Sequence, residues 1–141
     1  MSIESYQNSV RVRVCGVLIK DDSILLIKLL SPLTNELIWI PPGGGVDFGE
    51  TLEDALKREF QEETGLEIEV DNLLFTNEVI HAPYHAIEFY YSVSKSGGSI
   101  SLGSDPEHDI NDQLIKDLKF IPISEIIGYN IKPDRLLNFI R

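Results

Sequence analysis

The feature that most constrains this chain is the stretch from Gly44 to Leu66, which reads GGVDFGETLEDALKREFQEETGL. It begins as a glycine-rich loop, where the backbone reaches conformations that other residues resist. Thr51 is a suitable N-cap, and Gly65 is a suitable C-terminal stop. The stretch therefore predicts a loop followed by a helix over about residues 52–64.

Carboxylates interrupt the apolar stripe of this helix. A helix turns by about 100° per residue, so one apolar stripe contains Leu52, Ala55 and Leu56, with Phe60 on its flank. The same stripe continues to Glu59 and Glu63, at positions where an amphipathic helix normally places apolar residues. Glu59, Glu62 and Glu63 also repel one another by about 0.2–0.5 kcal/mol per pair, close to the negative end of the helix dipole. Several broken local rules at one place indicate a functional site.

Clustered carboxylates beside a glycine loop suit a hard divalent cation. Mg²⁺ takes oxygen ligands and commonly shares them with substrate phosphates. A bound cation would offset the repulsion between Glu59 and Glu63. The alternative is a solvated charged face. It applies best to Glu62, because this residue lies off the stripe and four residues after Arg58, where an ion pair can form.

The stretch resembles the Nudix box, whose pattern is Gly, five residues, Glu, seven residues, then Arg-Glu-U-x-Glu-Glu-x-Gly-U with U apolar. Every specified position is met between Gly44 and Leu66, with Phe60 as a bulky U, and the lead-in from Trp39 to Gly44 is also similar to the family. The resemblance implies an α/β fold, a Nudix-type α/β/α sandwich with a mixed β-sheet between helices. It also implies hydrolysis of a nucleoside diphosphate linked to another group, with Mg²⁺ or Mn²⁺ as cofactor.

The metal ligands of the family have matching positions in this chain. By resemblance, Glu59 and Glu63 are the principal ligands, and Glu62 is an additional ligand or a water-orienting residue. The carbonyl of Gly44 is a further metal contact. The expected metal site therefore consists of Glu59, Glu62, Glu63 and Gly44.

The resemblance also gives roles to a charged pair and to a later loop. Arg58 and Glu50 match the pair that braces the box helix, and a brace of this kind fixes the orientation of a carboxylate. In the family an acidic loop downstream often supplies one more ligand or the general base. We take Glu107 as the first choice and Asp109 as the second, with a solvated loop acid as the alternative. The residues for which we expect catalytic roles are Glu62, Glu63, Arg58 and Glu107.

Length and charge limit the domain organisation and the partners. The 141 residues predict a single domain over 1–141. The net charge of −11 opposes broad contact with duplex nucleic acid or an anionic membrane. We therefore expect a small-molecule nucleotide as partner and leave a homodimer open. The chain shows no signal segment and no long apolar run, so we expect a soluble, cytoplasmic protein, with Cys15 as a small buried hydrophobe.

The first strands carry basic residues that are candidates for substrate binding. Valines alternate with Arg11 and Arg13 over residues 10–14, which predicts a strand with one buried face. A turn and a mostly buried strand over 24–30 follow, and together the two strands predict a hairpin. Arg11, Arg13 and Lys28 are candidates to reach a phosphate, and solvent-facing charge is the alternative for each.

Further strands and two short helical segments are predicted after the box helix. The alternation of apolar residues predicts a strand pair over 73–80 and 86–93, and Gly97 and Gly98 predict a turn over 94–99 into a short strand at 100–102. A further strand is predicted over 114–123, followed by a helical turn from Ser124 to Gly128. Pro133 opens a last helix, which we expect to dock through Leu136, Leu137 and Ile140.

Substrate identity is open from the sequence. Trp39 either lines a base pocket or packs in the core, and Tyr84 either stacks on a base or covers the strand pair. In some Nudix subfamilies a Pro downstream of the box accompanies ADP-ribose-like substrates and a Tyr accompanies dinucleoside polyphosphates. Pro83 and Tyr84 are adjacent here, so the pattern favours neither class. Two other functions remain open: a nucleotide sensor without turnover, and an isomerase of a diphosphate lipid.

Overall fold

The computed structural model describes residues 9–101 and 115–140. Glu107 and Asp109, and the acidic loop that contains them, lie outside these residues. The secondary structure of the described part is, in chain order, β1 (Val10–Val17), β2 (Ile19–Lys20), β3 (Ser23–Leu30), β4 (Leu37–Ile40), β5 (Gly43–Gly45), α1 (Leu52–Thr64), β6 (Leu66–His81), β7 (Tyr84–Gly98), β8 (Ile115–Pro122) and two 3-10 helices, Ile123–Gly128 and Asp134–Asn138.

The strands form two sheets. The first has the order β5-β1-β7-β6 and is mixed, because β1 and β7 run parallel while the other neighbours run antiparallel. In the second sheet β3 pairs antiparallel with β2, β4 and β8. The mixed α/β class predicted from the sequence is confirmed.

Both faces of this sheet layer are covered. Side chains alternate between the faces of a strand, so Val14 of β1 and Leu25 of β3 pack with the apolar face of α1. Cys15 and Leu26, one residue later, pack with Leu136 and the rest of the C-terminal segment on the other side. The second covering layer is therefore built from 3-10 helices, whereas the sequence analysis predicted a docked final helix. In the described residues no helix is long and apolar enough to span a membrane.

Helix α1 forms where the sequence predicts it. Thr51 is the N-cap, with its hydroxyl accepting from the Asp54 N–H at 3.0 Å, and Gly65 ends the helix at φ +79°. Ala55, Leu56 and Phe60 of the apolar stripe are buried. Glu59 and Glu63 are only 6% and 8% exposed. The prediction that these two carboxylates face inward is confirmed.

The predicted hairpin of the first two strands is wrong. The turn is present, but it joins β2 to β3 through Asp21 and Asp22, whose φ angles of 52° and 60° suit a two-residue hairpin turn. Strand β1 instead lies between β5 and β7, so both of its edges are occupied. Its first half also differs from the prediction, because Val10 and Val12 are exposed and border a cavity described below.

The turn predicted over residues 94–99 is also wrong. Strand β7 runs without reversal to Gly98, which pairs with Leu66 at the start of β6. A Cβ atom on Gly98 would overlap the Gly65 carbonyl oxygen. Glycine is needed there because two backbones approach closely and because the φ angle is +76°. Residues 100–101 are not in a strand, and residue 102 lies outside the described part.

The remaining elements follow the predictions more closely. The strand pair after α1 is confirmed and is longer than predicted, as β6 and β7, and the strand before the C-terminal segment is β8. The last helix is a short 3-10 helix, and Leu136 and Ile140 are buried there while Leu137 is partly buried.

Candidate active site

A cavity of about 990 Å³ lies where the glycine loop, α1 and the first sheet meet. The glycine loop, β5, forms one wall, and Glu59 and Glu63 of α1 face the same space. Apolar residues line another part of the wall, among them Leu29, Ile38 and Ile40. The volume is at the upper end of the range for sites that bind small molecules. The cavity can therefore hold a ligand larger than a single phosphate group.

Arg58 and Glu50 form a two-pronged ion pair at the base of the glycine loop. Arg58 Nε and Nη2 donate to the two oxygens of Glu50 at 2.7 and 2.9 Å, and the Asp47 N–H donates to Glu50 at 3.0 Å. These hydrogen bonds, with that of Arg58 the largest cause, lower the pKa of Glu50 to about 2. They also raise the pKa of Arg58 above its ordinary value. The bracing pair predicted by resemblance is in contact.

This ion pair predicts how stability depends on pH. The pKa of Glu50 is below its ordinary value of 4.5 in the folded protein. Ionised Glu50 therefore stabilises the fold fully above about pH 4.5, and this stabilisation is lost as the pH falls towards 2. We expect Glu50→Gln to lower the free energy of unfolding at pH 6, with the difference from wild type shrinking between pH 4.5 and 2. Urea denaturation at several pH values measures this. Glu53→Gln removes an exposed carboxylate as the control, and an equal destabilisation at every pH would contradict the prediction.

Arg58 also connects α1 to the glycine loop. Its Nη1 donates to Glu59 at 2.9 Å and reaches Glu62 at 3.5 Å, and its Nη2 donates to the Gly45 carbonyl oxygen at 3.2 Å. Asp47 is 3.4 Å from the same guanidinium. One positive charge thus contacts several carboxylates, Glu50 included, and leaves an excess of negative charge beside the cavity. This excess favours the binding of a cation.

Glu59 and Glu63 are both held against the glycine loop. The Glu59 carboxylate occupies the space that a side chain on Gly44 would need. Glu63 accepts a hydrogen bond from the Gly43 N–H at 2.8 Å. Two inward carboxylates of the helix therefore lie beside the backbone of Gly44, on one wall of the cavity.

The chemistry of these donors fits a hard divalent cation, although the protein side chains do not complete a site. Carboxylate and carbonyl oxygens are the ligands that Mg²⁺ prefers. Among residues 9–101 and 115–140, no three His, Cys, Asp or Glu side chains are arranged to hold a metal ion by themselves. Mg²⁺ commonly keeps water molecules and binds substrate phosphates besides one or two carboxylates. The wall of Glu59, Glu63 and Gly44 offers the protein's share of such a site.

A second polar cluster, missed by the sequence analysis, lies in the wall of the same cavity. Glu88 of β7 is 6% exposed and accepts hydrogen bonds from three side chains. Asn77 Nδ2 and the Tyr90 hydroxyl each donate to Oε1 at 3.0 Å, and Arg13 Nη1 donates to Oε2. Burial, followed by nearby Cys15 and Glu88, raises the pKa of Tyr90, so its hydroxyl stays a donor at neutral pH.

A signal for Glu88 was present in the sequence. Ala86, Glu88 and Tyr90 alternate along β7, and all three are buried. A carboxylate on the inward face of a strand breaks the period-two rule in the way that Glu59 breaks the helical one. Arg13 as its partner could not be identified from this pattern, because the two residues are far apart in the sequence.

The structure separates the other predicted substrate-binding residues into two groups. Arg11, Arg13 and Tyr84 line the cavity. Trp39 and Lys28 are not among the residues that line it. The alternation of β4 turns Ile38 and Ile40 towards the cavity and Trp39 into the core.

Trp39 and Cys15 both belong to the hydrophobic core. Trp39 meets the ring of Tyr129 edge-on at 5.6 Å, and the Lys28 ammonium is 5.9 Å from the Trp39 ring. Cys15 is free and buried, as predicted, and burial is the main cause that raises its pKa to about 12. A thiol in that state is unreactive.

Comparison with known proteins agrees with this geometry. The family model described as "NUDIX domain" matches residues 9–139. An ADP-ribose pyrophosphatase of Methanocaldococcus jannaschii is 36% identical over 96 residues, which cover 67% of this chain and 56% of that protein. The Nudix hydrolase YvcI of Bacillus subtilis is 30% identical over 138 residues, covering 91% of this chain and 83% of YvcI.

A solved structure is similar as well. The crystal structure of a MutT NUDIX hydrolase from Burkholderia pseudomallei superposes with a TM-score of 0.68 at 28% identity, covering 83% of this chain and 86% of that one. The chain spans only about half the length of the archaeal relative. The match over residues 9–139 nevertheless includes the glycine loop, α1 and both sheets. The resemblance seen in the sequence is therefore confirmed, and this chain belongs to the Nudix family.

Proposed function

We propose that this protein is a pyrophosphohydrolase that depends on Mg²⁺ or Mn²⁺. Its substrate would be a nucleoside diphosphate linked to another group, such as an ADP-sugar, a dinucleoside polyphosphate or a nucleoside triphosphate. The observation that carries the proposal is the burial of Glu59 and Glu63 against the glycine loop on a cavity wall. Burying two carboxylates of one helix is unfavourable unless a charge or hydrogen bonds compensate for it.

The roles of the residues follow from their contacts. Glu59, Glu63 and the Gly44 carbonyl would hold the metal, and Glu62 would be an additional ligand or would orient the attacking water. Bound Mg²⁺ would supply positive charge that offsets the negative charge of the phosphate oxygens and makes the phosphorus more electrophilic. Arg58 would keep Glu59 and Glu62 in fixed orientations, because its guanidinium contacts both carboxylates and the loop.

The proton of the attacking water needs an acceptor. Glu62 and Glu63 are candidates, and Glu107, outside the described residues, is a third. A carboxylate within hydrogen-bond reach of the water can act as this base. A covalent intermediate is not required, and the buried Cys15 is not suited to form one.

The substrate range is supported by the cavity and by the relatives. A cavity of about 990 Å³ has room for a nucleotide together with a linked group. The name of the archaeal relative, ADP-ribose pyrophosphatase, places an ADP-sugar first among the compounds to test. Tyr84 lines the cavity and would contact the base or the linked group.

The proposal predicts strict metal dependence. We expect the purified protein to hydrolyse at least one compound of a panel containing ADP-ribose, diadenosine tetraphosphate and ATP in the presence of Mg²⁺. Excess EDTA should stop turnover, and renewed Mg²⁺ should restore it. Chromatographic separation of the phosphate-containing products measures both results. Turnover that continues in EDTA would contradict the metal role.

The same assay distinguishes the other functions left open by the sequence. A sensor would bind a nucleotide without forming products, and an isomerase would convert a diphosphate lipid without releasing phosphate-containing fragments. Retention of every carboxylate of the box favours hydrolysis over the sensor. Products from the nucleotide panel would therefore favour hydrolysis over both alternatives.

A further inference from the structure

Arg13 presents part of its guanidinium to the cavity. Its only hydrogen bond to a described residue is the one that Nη1 donates to Glu88. Within the described residues no fully buried side-chain nitrogen or oxygen lacks a hydrogen-bond partner. The other two nitrogens of Arg13 must therefore be accessible, and Arg13 lines the cavity with a side chain that is 16% exposed.

The partner of Arg13 is rigidly held. Glu88 uses Oε1 for Asn77 and Tyr90 and Oε2 for Arg13. A carboxylate has about four acceptor positions, so one position on Oε2 remains for a further donor. The pair therefore offers N–H donors and one carboxylate acceptor side by side, and packing fixes the orientation of both.

The charge of this pair is unsuited to a phosphate group. Glu88 forms an ion pair with Arg13, so the two charges compensate each other. A phosphate at this pair would meet a neutral unit instead of a free cation. A hydroxyl group matches the pair better, because it accepts from a guanidinium and donates to a carboxylate at once.

We propose that Arg13 and Glu88 form a subsite that binds the uncharged, hydroxyl-bearing part of the substrate, a sugar, and not its phosphates. This inference rests on the proposed function and assigns a specificity determinant within the same cavity. It replaces the phosphate contact that the sequence suggested for Arg13. Sites built around buried hydrogen-bonding groups discriminate strongly against ligands that leave them unpaired.

Two non-hydrolysable probes separate the subsite from the phosphate site. Methylenediphosphonate contains only the phosphate part, and the methylene analogue of ADP-ribose contains the same part with both sugars and a base. Titration calorimetry with Mg²⁺ gives the dissociation constant of each for the wild-type protein. We expect the sugar-containing probe to bind at least about tenfold more tightly, the scale of one hydrogen bond to a charged group.

The variants Glu88→Gln and Arg13→Met/Glu88→Gln test the assignment. Both should lose about tenfold in affinity for the ADP-ribose analogue, and the double variant, which frees no cation, should bind methylenediphosphonate within about twofold of wild type. The double variant keeps an acceptor for Asn77 and Tyr90 and leaves no unpaired buried charge. It therefore tests the assignment even if the single variant does not fold. In steady-state assays the same variants should have a higher KM and a kcat within about threefold of wild type. This is expected because the subsite would bind the ground state and the transition state equally well.

Glu78→Gln is the matched control. Glu78 lies on β6 opposite β7, and its hydrogen bond with His85 at 2.9 Å is on the exposed side. This variant should leave the affinities for both probes unchanged. The subsite is overturned if wild type binds the two probes equally, or if the Arg13 and Glu88 variants weaken both probes to the same extent. The affinity of wild type for methylenediphosphonate tests the proposed metal and phosphate site independently of the subsite. If wild type does not bind this probe, the proposed metal and phosphate site is refuted instead.

Discussion

Glu63→Gln should abolish most turnover while leaving the protein as stable as wild type, or more stable, when metal is absent. Glu63 is buried at the C-terminal end of α1, close to Glu59, and accepts a hydrogen bond from the Gly43 N–H. The amide oxygen of glutamine can still accept the hydrogen bond from the Gly43 N–H. The substitution therefore removes a buried charge and leaves this N–H with a partner. In EDTA we expect the free energy of unfolding to be unchanged or up to about 1–2 kcal/mol higher.

Activity and metal response should change in the opposite direction. We expect kcat to fall at least about 100-fold, the scale of losing one charged group of an active site. The variant should also lose most of the rise in Tm that Mg²⁺ gives wild type, because a ligand stabilises in proportion to its binding to the native state. Melting curves with and without Mg²⁺, beside one activity assay, measure these effects.

The control is a carboxylate on the same helix. Glu53→Gln removes an exposed charge from the first turn of α1, where Glu53 pairs with Lys57 at 3.4 Å. It should change stability, activity and metal response little. Wild-type turnover in Glu63→Gln would end the assignment of Glu63 as a metal ligand.

Gly44→Ala should strongly reduce the proposed hydrolase activity through a displaced carboxylate. A Cβ atom at this position would overlap the Glu59 carboxylate, which is packed between the loop and Arg58. The loop or the carboxylate must therefore shift, and a shift of about 1 Å in a catalytic group can reduce the rate about 100-fold. Gly44 does not have a positive φ angle, so alanine should not strain the backbone itself.

Kinetics and unfolding together test this prediction. We expect kcat/KM to fall about 100-fold, with the far-UV circular dichroism spectrum of wild type retained. Gly128→Ala is the matched control, because a Cβ there meets no atom within 4 Å and the φ angle is not positive. Equal activities of the two variants would show that Glu59 does not need its position against Gly44.

Local sequence patterns were sufficient for α1 and its inward carboxylates. Thr51 and Gly65 specify the ends through hydrogen bonds and an αL conformation that involve only neighbouring residues. The 3.6-residue period likewise specifies which side chains share a face, so Glu59 and Glu63 could be placed on the buried stripe before any tertiary contact was known. The paired strands β6 and β7 were recognisable for the same reason, since their turn and their alternation are local.

Tertiary structure alone decided which strands became neighbours. Strand β1 pairs in parallel with β7, and this brings Arg13 to Glu88 across 75 positions of sequence. Period two assigns a side chain to a face of a strand but contains no information about the partner strand, which depends on non-local packing and pairing. The sequence therefore determined the carboxylate wall of the cavity, whereas the Arg13–Glu88 pair in the same cavity arose only when distant strands packed into one sheet.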